Sequence, residues 1–398
     1  MFSRQLLAVL ILTLLQFVSG RAQTSVVQHW LILGPFAYQA GVAEPLDASG
    51  VDGEATLAPA AYENTAGRVW RPVQTLPNGK LDLLHAGLEQ VDYVNTYAHV
   101  YVFSPQEREV DFAAGMNDGL QVWLNGKPVY RVPTGHGRAW RRGSRHFRVR
   151  LRAGWNRLLC KVSNLGKDYA LSLEALDAPD LVFSTEGPRL SSGSGAWAVT
   201  WLAFDEKVHV RPDGKWAVPL RLEFARLPGR SGQSGWIKIQ KTTRRGRHTL
   251  ASVRLTSRTE FPISHTVYVG LPDLLASVTG SGRLSIRVGA SEKARAVRSL
   301  SLPAEAVLSR LFIRPLAVDL WEVEDVTDPS SIRSRQVSEF VRQHLTGAGA
   351  AARLLRVPLR FPEFLRGFPL GVSLPTPAAE VQAFFDGEPM ETWDRDGK

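Results

Sequence analysis

The chain has 398 residues, 44% of them hydrophobic, and a formal charge of +10 from 48 basic and 38 acidic side chains. That length suits about two to three domains, and the apolar fraction excludes global disorder. The single cysteine, Cys160, excludes an internal disulfide framework, so stability must come from buried cores.

Residues 1–22 carry the pattern of an export signal. Arg4 supplies a positive end. Leu6 to Val18 is apolar apart from Thr13 and Gln16, and Gly20-Arg21-Ala22 offers a small-residue cleavage site before Gln23. The apolar run is short for a bilayer span, which favours a cleaved signal over an anchor. No later segment is apolar enough to cross a membrane as a helix. The expected location is therefore outside the cytoplasm: periplasm, cell surface or medium.

Residues 23–180 read as one β-rich unit. Six strands are expected, at His99–Ser104, Glu109–Gly115, Leu120–Gly126, His146–Arg152, Asn156–Ser163 and Tyr169–Leu176. In "HFRVRLR", Phe147, Val149 and Leu151 alternate with Arg148, Arg150 and Arg152, so one face is buried and one is wet. No long amphipathic helix intervenes, which implies antiparallel pairing and a sandwich. Cys160 alternates with Leu158 and Val162, the setting of a small core residue rather than a reactive thiol.

The stretch "MNDGLQVWLNGKPVY", Met116–Tyr130, predicts a hairpin. Asn125-Gly126 suits a two-residue type I′ loop, which needs positive φ at both centres. Asp118-Gly119 suits the preceding corner, with the Asp side chain accepting from nearby backbone N–H groups. Leu120, Val122 and Leu124 share one face. Trp123 lies on the other, where it either covers a second apolar layer or stacks on a sugar.

The loop Val132–Arg145, "VPTGHGRAWRRGSR", holds the ligand-binding candidates His136, Arg138, Trp140, Arg141 and Arg142. An indole stacks on the apolar side of a sugar ring, and guanidinium forks grip carboxylate or sulfate bidentately. An exposed basic loop with nothing bound is the plainer reading of the same residues.

Residues 181–196, containing "STEGPRLSSGSGA", read as a linker. Residues 197–305 read as a second β-sandwich of immunoglobulin-like size, again with no helical crossover. Within it, "WIKIQKTTRRGRH" (Trp236–His248) reads as a hairpin with a basic tip. Residues 306–398 are mixed. A helix capped by Asp328 or Thr327 and ended by Gly347 is expected, followed by a Pro-rich extended stretch, and the ending at "FFDGEPMETWDRDGK" suggests the start of a further domain.

Four separated stretches of the first unit carry a resemblance. "HWLILGPF" (His29–Phe36), "GKLDL" (Gly79–Leu83), "GMNDGLQVWLNGKPVY" (Gly115–Tyr130) and "LRAGWNRLLCKVSN" (Leu151–Asn164) stand in the order and spacing of one pattern. The unit resembles bacterial galactose-binding-like jelly-roll domains over residues 28–176. That family's turn often reads Asp-Asp-Gly where this chain has Asn117-Asp118-Gly119. The resemblance implies an accessory module beside carbohydrate-active or other exported enzymes. The fold expected is all-β: a jelly-roll sandwich, a second sandwich and a mixed C-terminal region.

No catalytic device stands out. There is no nucleophile elbow, no His-Glu-x-x-His pair, no phosphate loop and no dinucleotide fingerprint. No cofactor is expected. A structural calcium ion is a minor candidate, with Asp118 or Asp92 among its ligands. The charge favours an anionic partner, and in an exported chain an acidic polysaccharide is a better match than nucleic acid. Arginine spread over a solvated surface explains the charge equally well. Two readings of function follow: a non-catalytic carbohydrate-binding or accessory module, and the N-terminal scaffold of a larger exported hydrolase whose catalytic domain lies beyond residue 398.

Overall fold

Strand alternation in the first unit resolves into two packed antiparallel sheets. The computed structural model describes most of residues 24–302, apart from short internal stretches, and beyond that only 307, 312–313, 322–326, 352–356, 384–385 and 388–389. The first unit contributes β1 (Ser25–Val26), β2 (His29–Ala37), a small ribbon of β3 (Asn64–Thr65) and β4 (Arg68–Val69), β5 (Arg71–Gln74) and β6 (Leu81–Asp82). It continues with β7 (Val94–Ser104), β8 (Arg108–Asn117), β9 (Gly119–Leu124), β10 (Lys127–Val132), β11 (Arg145–Leu151), β12 (Gly154–Asn164), β13 (Ala170–Leu176) and β14 (Val182–Ser184). All six expected strands are present. One sheet runs β1-β13-β8-β11 with β6 beside β13; the other runs β10-β9-β12-β7-β2-β5 with β14 beside β7.

The core between these sheets is built by period two. Val100 and Val102 of β7, Phe112 and Ala114 of β8, Leu158, Cys160 and Val162 of β12, and Leu171 and Leu173 of β13 all belong to one buried cluster. Trp30 is fully buried in it. Burial pushes the Cys160 thiol above its ordinary range, as expected of a core residue.

The outer face of the larger sheet is also covered. The chain between β2 and β5 crosses it as a strap, and outward side chains of β7 and β12 bind the strap's backbone. Asn95 Nδ2 donates to the carbonyls of Pro45 (2.8 Å) and Ala48 (3.1 Å). Lys161 Nζ donates to Leu46 O and to Glu54 Oε2, each at 2.9 Å. Arg157 reaches Thr56 O at 2.7 Å, Arg189 reaches Ala58 O, and Tyr101 Oη reaches Pro59 O at 3.0 Å. These contacts satisfy carbonyls of a loop that would otherwise be buried without partners. Trp123 lies on this same outer face and is buried, which decides in favour of a second packed layer over a sugar platform.

Segment 181–196 is not the exposed linker its composition suggests. Ser184, Thr185 and Glu186 are fully buried, and a 3-10 turn runs over Gly187–Leu190. The physical reason is local: Ser184 Oγ accepts from the N–H groups of Glu186 (3.0 Å) and Gly187 (2.7 Å) while donating to Val199 O (2.8 Å). Small polar residues that favour loops serve here as hydrogen-bond partners in a seam. Residues 192–195 lie outside the described residues.

The second sandwich comprises β15 (Trp197–Phe204), β16 (Lys207–Val210), β17 (Trp216–Arg226), β18 (Gly235–Thr243), β19 (Gly246–Leu255), β20 (Ile263–Gly270), β21 (Arg283–Gly289) and β22 (Arg298–Leu302). β15 and β16 flank one edge of β17 and β20 the other; β19-β18-β21-β22 form the facing sheet. A short helix, α1 (Leu271–Val278), joins β20 to β21 across the two sheets, where no helix was expected. Its eight residues span the gap between sheets, and Leu271 and Leu274 are buried.

The two sandwiches touch through buried groups. Tyr62 Oη accepts from Phe204 N at 2.7 Å, and the His29 ring stacks on Trp201 at 4.4 Å. Burial holds the His29 imidazole down at about 4, so its 3.7 Å approach to Glu223 is not an ion pair at neutral pH. Trp155 packs edge-on to Phe103 beside Ala198 and Leu227. Both sandwiches fall in one compact unit that ends at Phe312.

In the unit beginning at Ile313, Glu322–Val326 pairs antiparallel with Ala352–Arg356, and Phe384–Phe385 with Glu388–Pro389. The helix expected between Asp328 and Gly347 lies outside the described residues.

Candidate ligand-binding loop over the outer sheet face

The loop between β10 and β11 is placed by Asp118. This carboxylate is buried, and Oδ1 accepts from Arg138 N at 2.6 Å while Oδ2 accepts from Leu165 N at 2.8 Å. Asn117 Nδ2 donates to Arg138 O at 2.6 Å. Asp118 therefore braces two distant loops instead of capping its own corner. Both of its oxygens accept from N–H donors, which suits a brace. Among the described residues, no group of three or more His, Cys, Asp or Glu side chains could hold a metal. Gly119 is needed for close packing rather than turn geometry: a Cβ there would collide with Thr134.

Beyond the brace, the loop lies on the outward face of β8 and β13. A Cβ on Gly115 would collide with Arg141 O and sit 2.7 Å from Ser172 Oγ, so the glycine lets the loop approach the sheet. Trp140 is half-buried; its Nε1 donates to Ser172 Oγ at 3.3 Å, and Lys80 Nζ stands 5.8 Å from its ring centroid. Arg142 Nη2 meets Glu174 Oε2 at 2.7 Å and Nη1 donates to Asn78 O at 3.2 Å. Lys80 pairs with Asp82 at 3.2 Å.

The five candidates thus divide. Trp140 and Arg142 come together on the outward face of β13, through Ser172 and Glu174. Arg138 is turned back into its own loop, with Nη2 donating to Pro133 O at 3.1 Å. Arg142 is already neutralised by Glu174. Arg141 is exposed and forms none of these ion pairs. His136 lies outside the described residues. The site is less basic than the loop's composition suggests, because Glu174 on β13 reaches Arg142. The same holds for β11, where Arg148 forks onto Asp111 at 2.7 and 2.8 Å and Arg150 meets Glu107 at 2.8 Å.

Lys80, Ser172 and Glu174 were not singled out from sequence. The alternation of "YALSLEAL" places Ser172 and Glu174 on the wet face of β13, which is the available signal. Their meeting with Trp140 and Arg142 depends on how the loop folds over that face.

Comparison with known proteins leaves the family open. No family model matches the chain, and no curated protein matches it. Among solved structures it is similar to a β-glucuronidase from Ruminococcus gnavus in complex with N1-substituted uronic isofagomine, at 9% identity and a TM-score of 0.24 over 71% of this chain and 46% of that one. The same enzyme in complex with D-glucuronic acid gives 9%, 0.24, 71% and 46%. An uncultured Clostridium sp. β-glucuronidase gives 10%, 0.24, 71% and 45%. The matched part is less than half the length of each enzyme. Likeness at that level assigns neither ligand nor activity.

Proposed function

We propose that this chain is an exported, non-catalytic carbohydrate-binding or accessory module, with a galactose-binding-like first sandwich. The observation that carries this reading is the pair Trp140 and Arg141. The indole is held half-exposed by Ser172 and Lys80, and the exposed guanidinium stands next to it in sequence on a loop braced by Asp118. A pre-positioned aromatic face beside a cation suits a sugar ring bearing a carboxylate or sulfate, since little ordering remains to be done on binding. Affinity electrophoresis in gels containing acidic polysaccharide tests it. Retardation by the wild type, weakened about tenfold in Trp140→Ala and Arg141→Ala, is the expected result. Equal mobility of wild type and variants in every gel removes the reading.

The buried seam supports a second reading, the N-terminal scaffold of a larger exported hydrolase. Tyr62–Phe204 and His29–Trp201 fix one sandwich against the other, which suits a part that must hold a neighbour in place. Sequencing the gene past the codon for Lys398 tests this: an in-frame catalytic domain supports it, and a stop codon there removes it.

A further inference from the structure

The two sandwiches handle their positive charge differently. On the first, exposed arginines face carboxylates across the strands. The second sandwich has a sheet, β19-β18-β21-β22, whose four strands contain seven Lys and Arg residues and no Asp or Glu. Its inward face is apolar, with Ile237, Ile239, Leu284, Ile286 and Val288 buried. Its outward face is set by register. Ser252, Lys238, Arg287 and Ser299 stand directly opposite one another and form one row across all four strands. A parallel row holds Thr249, Gln240, Ser285 and Ser301. Arg254 flanks one side of these rows, opposite Trp236, and Arg283 the other, opposite Thr242.

The Trp236 ring lies over Gly289, where any Cβ would collide with it. Lys238 Nζ stands 4.8 Å from the Trp236 ring centroid, and Arg287 Nη1 donates to Gln240 Oε1 at 3.4 Å. Neither cation is in an ion pair among the described residues, whereas Lys241, on the opposite side of β18, meets Asp273 at 3.3 Å. Like charges directly opposite on neighbouring strands destabilise a sheet unless something neutralises them. Burial and nearby Arg247 hold the Arg287 guanidinium below its ordinary range, the mark of a cation lacking a counter-charge.

We propose that the outward face of this sheet, centred on Lys238 and Arg287, is a docking surface for an acidic polysaccharide. The occupant follows from charge complementarity and from the rest of the lining. Rows of hydroxyls beside two cations match a chain that carries both sugar hydroxyls and carboxylates. Neighbouring strands lie about 4.8 Å apart, so the four-strand row is long enough to meet more than one sugar unit. This surface is separate from the Trp140–Arg141 loop and does not depend on it.

The test uses the full mature chain with polygalacturonate as probe, in affinity gels and in binding assays across a salt series. Lys238→Ser/Arg287→Ser is expected to weaken binding about tenfold, and to make the slope of log affinity against log salt shallower by about one per cation removed. Arg283→Ser, at the exposed edge of the face, gives a smaller loss without touching the buried layer. The same changes are made in a Trp140→Ala/Arg141→Ala background. Residual binding there that the Lys238 and Arg287 changes abolish supports the sheet face, whatever becomes of the loop. Unchanged affinity in both the double variant and Arg283→Ser overturns the proposal. So does tighter binding of duplex DNA or anionic vesicles than of polygalacturonate at the same salt.

Discussion

Lys161 meets Glu54 at 2.9 Å with its ammonium wholly buried and the carboxylate side chain 20% exposed. Tyr97 donates to the same Glu54 oxygen, and its own hydroxyl accepts from Gly50 N at 2.9 Å. The three side chains fasten the strap to the outer face of the larger sheet. A buried charge without its partner is costly, so Lys161 is stabilising only while the strap is in place.

Lys161→Met should therefore lower stability by about 3 kcal/mol, because Glu54 and Leu46 O lose their shared donor. Urea unfolding followed by tryptophan fluorescence checks this. The midpoint should fall with little change in slope. A midpoint within error of wild type would show that the strap is held by other contacts.

Glu186 gives a pH dependence. Burial raises its carboxyl to about 7, Oε2 has no hydrogen-bond partner, and Oε1 accepts only long bonds from Ala61 N (3.4 Å) and Thr185 Oγ1 (3.3 Å). Arg189 offsets this only in part, being engaged with Glu63 and Ala58 O. A folded-state value above the unfolded one means stability is full below about 4.5 and is lost as pH rises to about 7. Wild type should thus lose up to about 3 kcal/mol relative to Glu186→Gln between pH 4.5 and 8. Parallel curves for the two proteins would contradict this.

Gly115→Val should lift the loop off the sheet. The new side chain would collide with Arg141 O and crowd Ser172. Overpacking of this kind costs about 1–3 kcal/mol, and here the loop can yield. Trypsin should cleave after Arg141 or Arg142 about tenfold faster than in wild type, with global stability less affected. Unchanged cleavage would mean that the loop does not rest on Gly115.

Cys160 provides a clean probe of the first core. Burial is complete and raises the thiol, so the reactive thiolate is scarce. A disulfide reagent should label the native protein only as fast as it unfolds, and label it at once in denaturant. Rapid native labelling would place Cys160 outside the core.

Period-two patterning determined much by itself. The six strands of the first unit, the Asn125-Gly126 hairpin with φ of 52° and 85°, and the core place of Cys160 follow from local residue choices. These features depend on neighbours in sequence, which a single chain displays directly. Tertiary structure alone decided what faces what. Whether Arg142 is free depends on Glu174, and whether Trp123 is exposed depends on a strap from between β2 and β5. The two carboxylate oxygens of Asp118 are claimed by loops 20 and 47 residues away. The row of Lys238 and Arg287, which holds no ion pair among the described residues, exists because register sets them opposite each other on strands separated by β19, β20 and α1. Charge and pairing are properties of distance in space, and no pattern along the chain carries that distance.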